Sequence, residues 1–242
     1  MKQFVNHKNS AAWDVCSESH KKQLLVPNVF LHTLLFHQTR EGFDLKNVNC
    51  ALETGTFTGN TSLILSDYFS KVYTVEKHLD INPYFARTPE EERKGHRSLR
   101  SFIEEQFKDK QNIYFKEGDS LPFIKHTFES NPDERFFILL DSHEDSFTTI
   151  LLELDFIKKY SNRSDHVIII DDGKFFHNYE TSTGKGMHGP HSSYDNIGFI
   201  SKELLYEHIF QISSNYIILD TGLPEHVDFS GSEMIIAYTT ER

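Results

Sequence analysis

Val48-Asn-Cys-Ala-Leu-Glu-Thr-Gly-Thr-Phe-Thr-Gly59 is the stretch that decides the fold. An apolar run ends in a carboxylate, Glu53, and passes into a turn that carries Gly55 and Gly59. A helical pattern begins at Asn60. A strand that feeds a glycine turn and a helix N-terminus lets backbone approach a ligand closely. The next apolar run, Lys71-Val-Tyr-Thr-Val75, ends at Glu76, 23 residues after Glu53. That separation is close to the ~20 residues of a nucleoside-binding βαβ unit, where a carboxylate can accept both ribose hydroxyls.

Along the rest of the chain, apolar and often β-branched segments alternate with amphipathic ones. The pattern predicts strands over 48–53, 71–75, 112–116, 135–140 and 166–170, with helices over 60–69, 97–108, 120–129 and 147–160. Such a string predicts a parallel sheet with helices on both faces. A further helix near 197–210, a strand over 215–219 and a last strand from about 233 to 239 complete it. The two terminal strands suit an antiparallel hairpin on one edge. Residues 1–47 carry a helical pattern and are expected to form an N-terminal cap on a domain spanning 48–242. The segment 173–196, with Gly173, Gly184, Gly186, Gly189, Pro190, His177, His188 and His191, has the length and composition of a binding loop.

The bulk numbers narrow the function. At 242 residues the chain is long enough for one large α/β domain. Its formal net charge of −11 disfavours nucleic acid, whose binders usually show a basic footprint. Lys94, Arg97 and Arg100 form only a small basic patch. No apolar run approaches the ~18 residues of a membrane span, and the N-terminus lacks a signal-peptide core. Two cysteines, Cys16 and Cys50, make no disulfide framework and no cysteine-rich zinc site, which fits a cytoplasmic protein. A homo-oligomer is compatible with all of this.

Four short motifs, each at the end of an expected strand, give the chain a resemblance to the class I S-adenosylmethionine-dependent methyltransferases. They are Glu53-Thr-Gly-Thr-Phe-Thr-Gly59, Val75-Glu76, Glu117-Gly-Asp-Ser120 and Leu140-Asp-Ser-His143. The resemblance covers about residues 48–240. It implies a Rossmann-like seven-stranded sheet, mostly parallel, with an antiparallel terminal hairpin. It also implies S-adenosylmethionine as cofactor. Gly55 and Gly59 would let the chain pass close to the methionine part, beside Glu53, while Thr54, Thr56 and Thr61 offer hydroxyls near its carboxylate. Glu76 would hold the ribose, Asp119 would accept from the adenine amino group with Ser120 adjacent, and Asp141 would close the cofactor site. Asp119-Ser120 also reads as a plain helix N-cap. The dinucleotide spacing G-x-G-x-x-G is absent, so a nicotinamide-dependent oxidoreductase is the weaker reading.

A second constellation is acidic. Asp141 follows one expected strand, and Asp171 and Asp172 follow the next. Three like charges on one rim repel unless a cation sits between them, and a carboxylate set favours a hard cation such as Mg²⁺. The pattern resembles metal-dependent O-methyltransferases of the catechol and macrolide-sugar types, which implies Asp141, Asp171 and Asp172 as ligands to a divalent metal. Such a metal would lower the pKa of an acceptor hydroxyl. His143 is the leading general-base candidate, two residues beyond Asp141, because its ordinary pKa suits neutral pH.

The reading that follows is O-methylation of a small polar acceptor, a sugar or nucleotide-linked sugar by resemblance to the sugar methyltransferases. The Asp141-Ser-His-Glu-Asp145 stretch has no proline, which argues against methylation of base or amide nitrogens. Two alternatives stand beside it: a metal-independent methyltransferase using His143, and a nucleoside-binding protein without chemistry.

Overall fold

The computed structural model describes residues 45, 47–80, 93–96, 98–142, 148–171, 202–221 and 234–239. The expected cap over 1–47 lies outside them apart from residues 45 and 47, and so does the loop 173–196. Seven strands are present: β1 Cys50–Thr54, β2 Lys71–Glu76, β3 Ile113–Glu117, β4 Phe136–Leu140, β5 Val167–Ile170, β6 Ile217–Thr221 and β7 Met234–Tyr238. Five described helices run between them: α1 Asn60–Tyr68, α2 Leu99–Phe107, α3 Ser120–Ser130, α4 Thr148–Tyr160 and α5 Lys202–Ile212. The expected strands lie within two residues of these bounds. The last expected helix is described from Lys202 onward; residues 197–201 lie outside the described set. Among the described residues no helix is long and apolar enough to cross a membrane.

The sheet order is β3-β2-β1-β4-β5-β7-β6. β1 to β5 pair in parallel, and β7 pairs antiparallel with both β5 and β6. The terminal hairpin is therefore antiparallel as expected, but it folds back so that the last strand lies inside and β6 forms the edge. Burial explains this order. Ile235, Ile236, Ala237 and Tyr238 of β7 are all buried, which suits a strand flanked on both sides, whereas β6 leaves Ile217 exposed.

Side chains alternate across the sheet and sort the helices. Cys50 and Leu52 of β1, Val75 of β2, Phe136, Ile138 and Leu140 of β4 and Ile168 and Ile170 of β5 share one core with α3, α4 and α5. Phe123, Ile124 and Phe128 come from α3, Ile150, Leu154 and Ile157 from α4, and Leu205 and Ile209 from α5. Full burial of one such side chain stabilises the fold by ~1.5–3 kcal/mol. The intervening residues of β1 face the other way, and Glu53 meets Ser62 of α1 there. On α2, Leu99, Phe102 and Ile103 make a smaller cluster with Leu79.

β1 runs to β2 on one side, while β4 lies on its other side. The chain thus changes winding direction between β1 and β4, and open α/β sheets bind ligands outside the carboxyl ends of strands at that place. The opposite end is plainly structural. His166 is buried, its Nδ1 accepts the Phe136 amide at 3.1 Å, and its Nε2 meets Ser161 Oγ at 2.6 Å. Burial pushes its pKa down to about 4, so it is a neutral spacer between strands.

Candidate active site

The turn after β1 is built by its neighbours. The amides of Gly55 and Thr56 both donate to the Val75 carbonyl, at 3.0 and 3.1 Å. Gly55 has φ +84°, and a Cβ there would lie 2.2 Å from the Asp141 carbonyl oxygen. Gly59, the N-cap of α1, has φ +77°, and its missing Cβ is replaced by the Phe107 ring at 2.6 Å. Both glycines are thus required by the protein's own packing, whatever ligand lies above them. Phe57 also sits at positive φ, 43°, a conformation that costs a non-glycine residue ~1–3 kcal/mol. Its amide donates to Glu76 Oε2 at 2.8 Å.

Glu53 is 1% exposed and faces inward. Its Oε2 accepts the Ser62 hydroxyl and, at 2.7 Å, the Thr74 hydroxyl. Thr74 in turn shares a 2.6 Å hydrogen bond with Thr56. Thr54 is wholly buried, and its hydroxyl donates to Glu153 Oε2 at 3.3 Å. Glu53, Thr54 and Thr56 therefore form a frame under the turn. Burial pushes the Glu53 carboxyl up to about 7, against the two hydroxyl donors that pull it down, with the Glu76 charge adding to the rise.

A stability signature follows. Relative to an unfolded value of 4.5, folded Glu53 holds its proton more tightly, so its contribution is full below pH 4.5 and is lost as pH rises through 7. Glu53→Gln removes that dependence. The variant's stability relative to wild type should rise by about 3 kcal/mol between pH 4.5 and 7.5, read by urea unfolding at each pH. A difference that stays flat with pH would mean that Glu53 ionises freely.

Glu76 ends β2 and is 6% exposed. Its two oxygens accept one amide each, Phe57 at 2.8 Å and His78 at 3.1 Å. A carboxylate has acceptor capacity for about four donors, which leaves room for two hydroxyls of a ligand. Asp119 is the N-cap of α3 by backbone, yet its side chain makes no capping hydrogen bond. It is exposed and pairs with Lys77 Nζ at 3.3 Å. Ser120 is the first residue of α3 and is half-buried, and Thr61 lies in the first turn of α1, also half-buried. Arg100 of the basic patch is engaged by Glu117 at 2.7 Å and Asp80 at 3.2 Å.

Asp141 and Asp171 follow β4 and β5 at neighbouring register positions. The Asp141 amide donates to the Thr54 carbonyl and the Asp171 amide to the Leu140 carbonyl, both at 3.1 Å. Adjacent strands lie ~4.8 Å apart, so the two residues stand side by side on the rim, both half-buried. His143 and Asp172 lie outside the described residues. Among the described residues no three His, Cys, Asp or Glu side chains gather as a metal site. The oxygen-donor chemistry of Asp141 and Asp171 suits a hard cation.

One solved structure with a similar fold is the O-methyltransferase TomG from Streptomyces achromogenes, involved in tomaymycin synthesis and seen in complex with SAM. The likeness covers 81% of this chain and 75% of that one at 16% identity, with a TM-score of 0.51. The chain has the class I methyltransferase fold. Two further methyltransferase-fold structures are similar at lower scores. A candidate caffeoyl-CoA O-methyltransferase from Staphylococcus aureus is 13% identical over 96% of this chain and 94% of that one, TM-score 0.49. Precorrin-6y C5,15-methyltransferase from Geobacter metallireducens GS-15 is 16% identical over 81% and 83%, TM-score 0.43. No protein-family model matches the sequence, and no curated protein does.

Three further residues join these hydrogen bonds without belonging to any of the motifs: Ser62, Thr74 and Glu153. Glu153 was legible in principle. It lies three residues after Ile150 and four before Ile157, so an acid interrupts a buried helical stripe.

Proposed function

We propose that the protein is an S-adenosylmethionine-dependent O-methyltransferase that acts on a hydroxyl of a small polar acceptor, a sugar or nucleotide-linked sugar, with help from a divalent metal. One observation carries the reading. The carboxyl ends of β2, β1, β4 and β5 lie side by side and present Glu76, Gly55, Asp141 and Asp171 in that order along one rim. It is also the fold on which TomG holds SAM.

S-adenosylmethionine, when bound, supplies a strongly electrophilic methyl group. The residues of this chain then have two tasks, to position the partners and to take a proton from the acceptor. The turn over 55–59 and the carboxylate of Glu76 would hold the methionine and ribose ends. Asp119 and Ser120 would meet the adenine after the Lys77 contact opens, a surface ion pair worth ~0–1 kcal/mol. Glu53, Thr54 and Thr56 would act from beneath, with Thr61 at the start of α1. Asp141 would border both partners. A metal held by Asp141, Asp171 and Asp172 would make the acceptor hydroxyl more acidic. His143 would take the proton, its imidazole being suited to neutral pH.

The proposal is tested by methyl transfer to a panel of sugars and nucleotide-sugars, followed by mass. With an acceptor found, excess chelator should lower turnover at least ~10-fold and Mg²⁺ should restore it. Full activity in excess chelator would remove the metal and leave His143 as sole activator. No transfer to any hydroxyl compound, with S-adenosylhomocysteine still bound, would favour a nucleoside-binding protein.

A further inference from the structure

Glu153 plays no part in the function just described, yet it touches both sides of the switch point. It is wholly buried on α4. Its Oε2 accepts the Thr54 hydroxyl at 3.3 Å, and its Oε1 accepts the Ser142 hydroxyl at 2.5 Å. Thr54 Oγ1 in turn accepts the Asp141 amide at 3.3 Å. Amide, hydroxyl and carboxyl thus form a chain from the turn after β4, through the last residue of β1, to α4.

Packing alone does not call for an acid here. A leucine at 153 would complete the stripe of Ile150, Leu154 and Ile157, and a carboxyl withdrawn from water carries a desolvation cost that an apolar side chain avoids. What the acid adds is span. One carboxyl reaches the carboxyl end of β1 with one oxygen and the turn after β4 with the other. These ends belong to the two strands between which the winding reverses. Gly55, the residue after Thr54, is in turn packed on the Asp141 carbonyl. Any loosening of the 141–142 turn therefore reaches the glycine turn directly.

We propose that Glu153 is a positioning residue that locks the Asp141-Ser142 turn to the end of β1 and so fixes the glycine turn for the cofactor. The consequence for cofactor binding rests on the methyltransferase proposal; the lock itself rests only on these hydrogen bonds. Reach is the property that matters. Glutamine keeps it, and the Thr54 and Ser142 hydroxyls can satisfy a carboxamide as donors or acceptors. Aspartate keeps the charge but is one methylene too short to hold both partners.

The test uses the full chain as wild type, Glu153→Gln, Glu153→Asp and Glu153→Met. Amide hydrogen exchange is read at Asp141 and Ser142, with Ile138 inside β4 as reference, and S-adenosylhomocysteine affinity is read by calorimetry. Glu153→Asp should speed exchange at Asp141 by ~10-fold or more while Ile138 is unchanged, and should raise the dissociation constant at least ~5-fold. Glu153→Gln should stay within ~2-fold of wild type on both. Glu153→Met should match the aspartate variant; if it does not fold, the aspartate and glutamine pair decides. An aspartate variant that matches wild type would overturn the proposal. So would one that loosens Asp141 and Ile138 alike while its folded fraction binds with unchanged affinity, since that describes a merely structural acid. If wild type itself fails to bind S-adenosylhomocysteine, the methyltransferase proposal falls, and exchange at Asp141 still decides whether Glu153 locks the turn.

Discussion

Gly55→Ala is expected to destabilise the fold by about 2–6 kcal/mol, the largest effect of one added methyl group among the described glycines. Two costs add. The residue sits at φ +84°, where an L side chain is strained by ~1–3 kcal/mol. The new Cβ would also stand 2.2 Å from the Asp141 carbonyl oxygen and 2.9 Å from its carbon, and backbone cannot swing aside as a side chain can. Two other glycines separate the costs. Gly95 has φ +79° and, among the described residues, nothing within 4 Å of its Cβ position, so Gly95→Ala should show chiefly the conformational cost, ~1–3 kcal/mol. At Gly59 the nearest described atoms belong to the Phe107 ring, which can turn, so Gly59→Ala should fall between them. Urea unfolding of the three variants reads the order directly. A Gly55→Ala chain no weaker than Gly95→Ala would mean that the glycine turn does not rest on the turn after β4.

The second large effect belongs to Glu76. Glu76→Ala should weaken S-adenosylhomocysteine binding by ~1.5–3 kcal/mol, about 10- to 150-fold, because ligand hydroxyls lose a charged acceptor. The same change releases the Phe57 and His78 amides, so some loss of stability accompanies it. Calorimetry well below the variant's melting temperature separates the two. Glu76→Gln is not a silent control. Only one end of a carboxamide accepts, so its NH₂ would face one of the two amide donors. It should bind more weakly than wild type as well. Unchanged affinity in both variants would place the ligand elsewhere.

How much of this was legible in the sequence varies with the physics. β1, β4 and β5 are buried on both faces; β4 and β5 read as continuous apolar runs and β1 as one that ends at Glu53, so their existence and parallel pairing followed from pattern. The inward fold of the terminal hairpin did not, because strand order depends on which strand is covered on both sides. The glycines were found, but the reason for them lay in tertiary contacts: Gly55 answers to Asp141, 86 residues away, and Gly59 to Phe107. The resemblance implied Thr54 and Thr56 as hydroxyls near the cofactor's carboxylate; their contacts within the protein, Thr54 to Glu153 and Thr56 to Thr74, were not legible because they join positions far apart in the chain. Asp119 was read both as a cap and as a ligand acid; its side chain caps nothing and pairs with Lys77.

The account stands on a nucleoside-bearing cofactor lodging at the crevice between β1 and β4. Calorimetric titration of the full chain with S-adenosylhomocysteine, and separately with NAD, tests this most directly. The expected result is saturable one-to-one binding of S-adenosylhomocysteine with no heat from NAD at the same concentrations. Absence of S-adenosylhomocysteine binding, or NAD bound in its place, would contradict it.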